Sequence, residues 1–275
     1  MPELPEVETI VRGLRNHLIG FTINSIDLQR KDLRFPIPKS LNKSLNGKKI
    51  IDIVRRGKYI IINNEDKQTI LLHLGMTGRI KIRPINTKKV KHDHIIIKLN
   101  SNQEIVFNDS RRFGMVDYID KIDYRNHKWI KFLGPEPLGS LFSDNYITTY
   151  LSKSKSPIKN VLLNQKFVAG IGNIYACEAL YLAGVSPNRI ANSISRNRSK
   201  KLALAIKQVL NKAIELGGCS IKDYVQASGE IGYFQQELNV YGKYGKKCTL
   251  CICNSSIKKI KQSGRSTFFC SKKQT

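Results

Sequence analysis

Pro2, Glu3 and Glu6 place an amine and two carboxylates within the first six residues of the chain. A small second residue normally permits removal of the initiator, so the working chain is expected to begin with the secondary amine of proline. An α-amino group titrates near pH ~8, against ~10.4 for a lysine side chain, and is partly unprotonated at neutral pH. Such an amine attacks carbonyl carbons to give a Schiff base, which for proline is an iminium. Glu3 is adjacent and Glu6 lies three residues on, one helical turn along the same side. An amine beside an acid can attack one atom and protonate its leaving partner.

The same residues also suit an ordinary helix start. Pro5 fits the first helical position, and Glu6 and Glu8 fit the first turn. Val7, Ile10, Val11, Leu14 and Leu18 then recur at helical spacing, and Gly20 is placed to stop the helix. The two readings are compatible. A helix anchored by that stripe would hold the amine rigidly, and its positive end would disfavour protonation.

The elements that must position these groups follow in two blocks. Thr22 to Gln29, Lys49 to Ile62 around the break Arg55–Lys58, Thr69 to Leu74, Arg79 to Arg83, His94 to Leu99 and Glu104 to Phe107 read as strands, the last two as a hairpin across Asn100–Asn102. The first half is therefore mostly β, and a sandwich closed by the first helix is expected. Leu133 to Gly139 concentrates two prolines and two glycines and reads as an interdomain hinge. Helical patterns follow over Asp144–Leu151, Ile158–Asn164, Ile174–Ala183 and Ser195–Glu215. Between two of them the turn Val168–Asn173, with Asn173 placed as a helix cap, could turn backbone N–H groups toward a phosphate.

The formal charge is +26 and the isoelectric point about 9.9, so a polyanion is the first partner to consider. From Gly242 to Thr275 nine Lys or Arg stand against no acidic residue, which concentrates basic surface at one end. No apolar run approaches the ~18 residues of a spanning helix. The acidic N-terminus is unlike a secretory signal. These features predict an intracellular, cytoplasmic protein without a membrane partner; it is expected to be nucleoid-associated and monomeric. In a reducing compartment six cysteines read as free thiols or metal ligands rather than disulfides. Four of them, Cys248, Cys251, Cys253 and Cys270, fall near the C-terminal end.

Pro2 to Glu8, His73 to Gly78, Lys91 to His94, Asp109 to Gly114, Leu133 to Leu138, Gly170 to Tyr175, Gly232 to Leu238 and Gly264 to Cys270 together resemble bacterial formamidopyrimidine-DNA glycosylase, in order along the whole chain. The resemblance implies an α+β chain: a catalytic β-sandwich domain over 1–132, a hinge and first helix over 133–150, a helix-two-turns-helix domain over 151–240 and a zinc-finger-like β-hairpin over 241–275, with damaged duplex DNA bound between the domains. It implies base excision repair by a bifunctional enzyme that removes 8-oxoguanine and formamidopyrimidines and then cleaves the strand by β,δ-elimination. Pro2 would be the nucleophile, Glu3 the proton donor, Glu6 a group orienting the sugar, Lys58 a proton donor in β-elimination and Arg265 the finger arginine linked to δ-elimination.

Among DNA contacts the resemblance implies His92, Arg111 and Lys155, with Asn173 on a phosphate at the helical turn and Lys153, Lys155 and Lys159 interchangeable as surface charge. Met76, Arg111 and Phe113 would form the wedge that fills the space of an extruded base. Gln226 to Tyr233 would be the loop closing over that base. Two rivals remain: an endonuclease VIII-type glycosylase for oxidised pyrimidines, and a damaged-DNA-binding protein without catalysis.

The resemblance breaks in the finger, where two Cys-X-X-Cys pairs would hold zinc. Cys248 and Cys251 make the first pair, but Lys273 stands where the partner of Cys270 is expected, and an ammonium ligates no metal. Either Cys248, Cys251, Cys253 and Cys270 make a distorted site for one Zn2+, or the hairpin is metal-free; the rarity of Cys-X-Cys chelates in structural sites favours the latter.

Overall fold

Isoleucine dominates the predicted strands, and its β-branched side chain suits a pleated surface covered on one face. The structure, a computed structural model, describes residues 2–121, 123–219, 233–249, 251 and 255–275. It has two compact units, Met1–Lys131 with Gly217–Tyr233, and Phe132–Leu216 with Phe234–Thr275.

The first unit opens with helix α1 (Leu4–Leu18), followed by β1 (Ile23–Leu28), a short α2 (Leu41–Leu45), β2 (Ile50–Arg56), β3 (Tyr59–Asn64), β4 (Thr69–His73), β5 (Arg79–Pro84), β6 (Asp93–Leu99), β7 (Gln103–Asn108) and β8 (Met115–Ile119). The strands form two four-stranded sheets with orders β1-β6-β7-β5 and β2-β3-β4-β8, antiparallel throughout. This is the expected sandwich. Val7, Ile10, Val11, Leu14 and Leu18 of α1 join one core with Ile53, Ile60, Ile62, Ile95 and Ile97. Each such burial is worth roughly 1.5–3 kcal/mol, so the stripe fixes the helix and hence the residues before it. Pro5 takes the second helical position, one later than the pattern implies, because Glu3 is the cap. The linear pattern does not single out α2 or β8, whose five-residue lengths carry too little periodicity.

The second unit contains α3 (Asp144–Ser152), α4 (Ile158–Leu163), α5 (Asn173–Ala183), α6 (Arg196–Glu215) and the hairpin β9 (Lys258–Gln262) and β10 (Arg265–Phe269). Ser143 and Ser195 cap α3 and α6 through their hydroxyls, and Gly184, at φ 68°, ends α5 in the left-handed conformation that glycine adopts without strain. Helix α5 is buried at nearly every position. Its Glu178 is 1% exposed and accepts the N–H groups of Asn239, Val240 and Tyr241, which ties the segment leading to the hairpin onto the helix. Phe268 of β10 then packs in a core with Cys177, Tyr181 and Val240. Among the described residues no helix is long and apolar enough to cross a membrane.

Candidate active site and nucleic-acid interface

Pro2 is buried two residues before the start of α1, on the positive end of the helix. Glu3 (3% exposed) caps that helix, and its N–H donates to Glu6 Oε2 at 2.8 Å. Glu6 is fully buried, and its Oε1 accepts the Cys219 N–H at 2.8 Å. The preceding Gly218 lies at φ 82°, and a Cβ there would come within 2.9 Å of Glu6 Oε1, so only glycine lets this segment approach. Glu6 thus joins the first turn of the chain to a segment 213 residues later.

Lys58 lies with Gly57 in the two-residue turn between β2 and β3, where Arg56 pairs with Tyr59 and Gly57 supplies a φ of 58°. It is only 8% exposed. The neighbouring Arg55 donates to Glu8 Oε2 at 2.9 Å and to the carbonyl of Gly57 at 3.1 Å. Burial raises the Glu8 carboxyl, but hydrogen bonds from Arg55 and Arg12 outweigh it and hold the group below its ordinary value. The pair ties the Lys58 turn to the helix that begins beside Pro2. Sequence reading missed Arg55 and Glu8 because their meeting spans 47 positions.

His73 on β4 pairs with Tyr59 and accepts the Gly75 N–H on Nδ1 at 3.0 Å. Burial, with the charges of Lys58 and Arg34 adding, pushes its imidazole from 6.5 down to about 4. Between those values the unfolded chain takes up a proton that the folded chain refuses, so stability present above pH 6.5 is lost as pH falls toward 4. His73 keeps partial solvent contact, so the expected loss from pH ~7 to pH ~4.5 is about 2 kcal/mol. Urea unfolding of wild type and His73→Asn at both pH values checks this, since asparagine retains the acceptor but not the titration; equal pH slopes would refute it.

Met76 and Phe113 are 39% and 41% exposed, and the Arg111 guanidinium lies 4.7 Å over the Phe113 ring. The structure brings these three together at one surface of the first unit. His92 is on the adjoining turn with a φ of 74°. Of the predicted lid, residues 226–232 lie outside the described residues; Tyr233 is 62% exposed and bridges to Cys219.

In the second unit Gly170 takes a φ of 87°, and Gln165 stitches the turn by accepting the Gly170 N–H and donating to the Ile171 carbonyl. Asn173 is the first residue of α5 rather than its cap, which is Gly172, and its Nδ2 donates to the Ser266 carbonyl at 2.9 Å. Lys155 is exposed, as expected. Lys159 is not surface charge: it is fully buried on α4 and its Nζ donates to Thr267 Oγ1 at 2.6 Å. A helical face turned to the hairpin takes that lysine inward, which its basic neighbours in sequence conceal. Together Lys159 and Asn173 hold β10 just beyond Arg265, which is exposed at the hairpin tip. Lys258, Lys259 and Lys261 are exposed on β9.

The sulfurs of Cys248, Cys251 and Cys270 lie within 4.8 Å of one another. Ser255 Oγ is 3.3 Å from Cys270 Sγ and the Tyr181 hydroxyl is 2.9 Å from Cys248 Sγ. Lys273 Nζ instead lies over the Tyr181 ring at 5.3 Å. Cys253 is outside the described residues. Three soft donors suit zinc, but a closed structural site needs four. Elemental analysis of the reduced protein is expected to find well under one zinc per chain; about one would show that a fourth ligand closes the site.

A sandwich that presents buried acids at its first helix, with a helical unit carrying a basic hairpin, is the architecture of a DNA-repair glycosylase. Two family models match, "Formamidopyrimidine-DNA glycosylase N-terminal domain" over residues 1–116 and "Formamidopyrimidine-DNA glycosylase H2TH domain" over 133–225. The chain is 42% identical to the formamidopyrimidine-DNA glycosylase of Ruegeria sp. (strain TM1040), covering 100% of both, and 43% identical to that of Dinoroseobacter shibae, covering 98% of both. It is also similar to a Lactococcus lactis Fpg variant in complex with Fapy-dG-containing DNA (TM-score 0.92, 38% identity, 99% of both chains). For MutM (Fpg) from Thermus thermophilus the TM-score is 0.89 at 35% identity, over 99% of this chain and 98% of that one. The chain belongs to the formamidopyrimidine-DNA glycosylase family of DNA-repair glycosylase/AP lyases.

Proposed function

We propose that the protein excises oxidised purines, 8-oxoguanine and formamidopyrimidines, from duplex DNA and then cleaves the strand at the abasic site. With Met1 removed, the Pro2 amine attacks C1′ of the damaged nucleotide while the glycosidic bond breaks. Glu3 supplies a proton as the sugar opens and the base departs with the bonding pair. The resulting iminium acidifies C2′, so loss of that proton expels the 3′ phosphate, with Lys58 donating a proton during this β-elimination. A second elimination expels the 5′ phosphate, with Arg265 on the phosphates. Met76, Arg111 and Phe113 fill the space left by the extruded nucleotide; His92, Lys155 and Asn173 hold the backbone, and Tyr233 belongs to the loop over the base.

The observation that carries this reading is the construction at the chain start: a buried Glu3–Glu6 pair beside Pro2, on a helix tied through Glu8 and Arg55 to the turn of the nearly buried Lys58. An acid is poised next to an amine at a helix N-terminus, where protonation of the amine is disfavoured. The substrate class is supported by relatives solved with Fapy-dG, abasic-site and carbocyclic 8-oxo-G DNA.

Borohydride trapping tests it. Incubation with a duplex carrying one 8-oxoguanine opposite cytosine is expected to give a covalent adduct that maps to Pro2. An adduct formed only on a thymine glycol duplex would assign the protein to oxidised pyrimidines instead. Tight binding without an adduct on either would make it a reader of damage without catalysis.

A further inference from the structure

Met76 and Phe113 are large apolar side chains held in water, and something beneath them must keep two irregular turns in one arrangement. We propose that Asp109 is the positioning residue of this wedge, a buried carboxylate that fastens the Met76, Arg111–Phe113 and His92 turns to one another. The proposal rests on the reading of Met76, Arg111 and Phe113 as the group that fills the duplex.

Asp109 is fully buried. Its Oδ1 accepts the Thr77 hydroxyl, next to Met76, and the Arg111 N–H at 3.2 Å; its Oδ2 accepts the Gly114 N–H at 2.7 Å. The Arg111 N–H also lies 3.2 Å from Thr77 Oγ1. The backbone completes the arrangement, since the Asp109 N–H donates to the His92 carbonyl at 3.1 Å and the Asp109 carbonyl pairs with His94 Nε2 at 2.7 Å. The turns are packed as closely as glycine allows. A Cβ on Gly75 would meet the Phe113 carbonyl carbon at 2.4 Å, and one on Gly114 would meet the Phe107 ring at 2.5 Å.

Only an acceptor at both oxygens satisfies this site. The carboxylate receives donors on Oδ1 and on Oδ2, so an asparagine must turn its own NH2 toward one of them. The hydrogen bonds are charge-assisted and buried, which makes them strong and directional. Their function follows from where the side chains must go. A filler that enters a base stack is effective only if it arrives ordered, and misplacement by about 1 Å can cost a hundredfold. Asp109 touches no DNA in this scheme; it acts through the two turns.

The test compares a substrate that needs the wedge with one that does not. Asp109→Asn is expected to slow excision of 8-oxoguanine from duplex DNA by ~10–100-fold. Borohydride trapping of the same protein on a single-stranded oligonucleotide with a preformed abasic site is expected to stay within about 3-fold of wild type, because nothing there needs filling. A 2-aminopurine beside the lesion reports the same step, and its brightening on binding is expected to be reduced in the variant. Equal loss on both substrates, or excision at the wild-type rate, would overturn the proposal. Should Asp109→Asn not fold, Thr77→Val removes one hydroxyl and decides the matter, with a smaller loss expected on the duplex alone. Wild type runs alongside: if it neither excises nor traps, the enzymatic reading fails rather than the role of Asp109.

Discussion

Replacing Pro2 by glycine is expected to reduce formation of the borohydride-trapped adduct on an 8-oxoguanine duplex by about a thousandfold while DNA affinity changes little. The nucleophile in this scheme is one secondary amine whose position is set by the α1 stripe buried in the sandwich core. Glycine keeps a primary amine at the same place but removes the ring that fixes φ and gives the more nucleophilic secondary nitrogen. In this scheme affinity is expected to rest elsewhere, on basic residues such as Arg111, Arg265 and the lysines of β9, and to fall with salt in both proteins. Single-turnover trapping with peptide mapping, beside a binding titration at fixed salt, checks both halves. Undiminished strand cleavage would identify another amine as the nucleophile, with the turn lysine Lys58 the first to examine.

The second large effect is expected at Glu6. Its two oxygens each accept one buried N–H, from Glu3 and from Cys219, at 2.8 Å. Glutamine can accept only one of them and must set its NH2 against the other donor, which costs about 2–3 kcal/mol for a buried group next to a former charge. Lost stability is half of the expected result. The Glu3 backbone also loses its anchor, so the acid beside Pro2 moves, and excision is expected to fall by ~10–100-fold. Urea unfolding and single-turnover excision on the same preparation separate the two; full activity at undiminished stability would show that the clamp is dispensable.

How much of this was legible in the sequence depends on the distance over which each feature is encoded. The α1 stripe, the β6–β7 hairpin across Asn100–Asn102 and helices α3 to α6 follow from short-range periodicity, and the structure places them where that periodicity puts them. Pro2, Glu3 and Glu6 stand out because an amine and two acids fall within six residues, and the structure buries both acids at the start of α1. The burial of Lys159 is not legible in the sequence, which shows a lysine among lysines; only the packing of α4 against β10 takes it inward. Asn173 stands at the predicted turn, but its amide serves Ser266 rather than the helix end.

The sequence by itself therefore determined the class of fold, the amine and its acids, the basic hairpin and the missing fourth cysteine at Lys273. The tertiary structure decided what those residues are coupled to. Glu6 meets Cys219, Glu8 meets Arg55, and Asp109 gathers Thr77, Arg111 and Gly114. The physical reason is that periodicity and caps act within a few residues, whereas a buried carboxylate takes its donors from whichever backbone the packed core brings within ~3 Å.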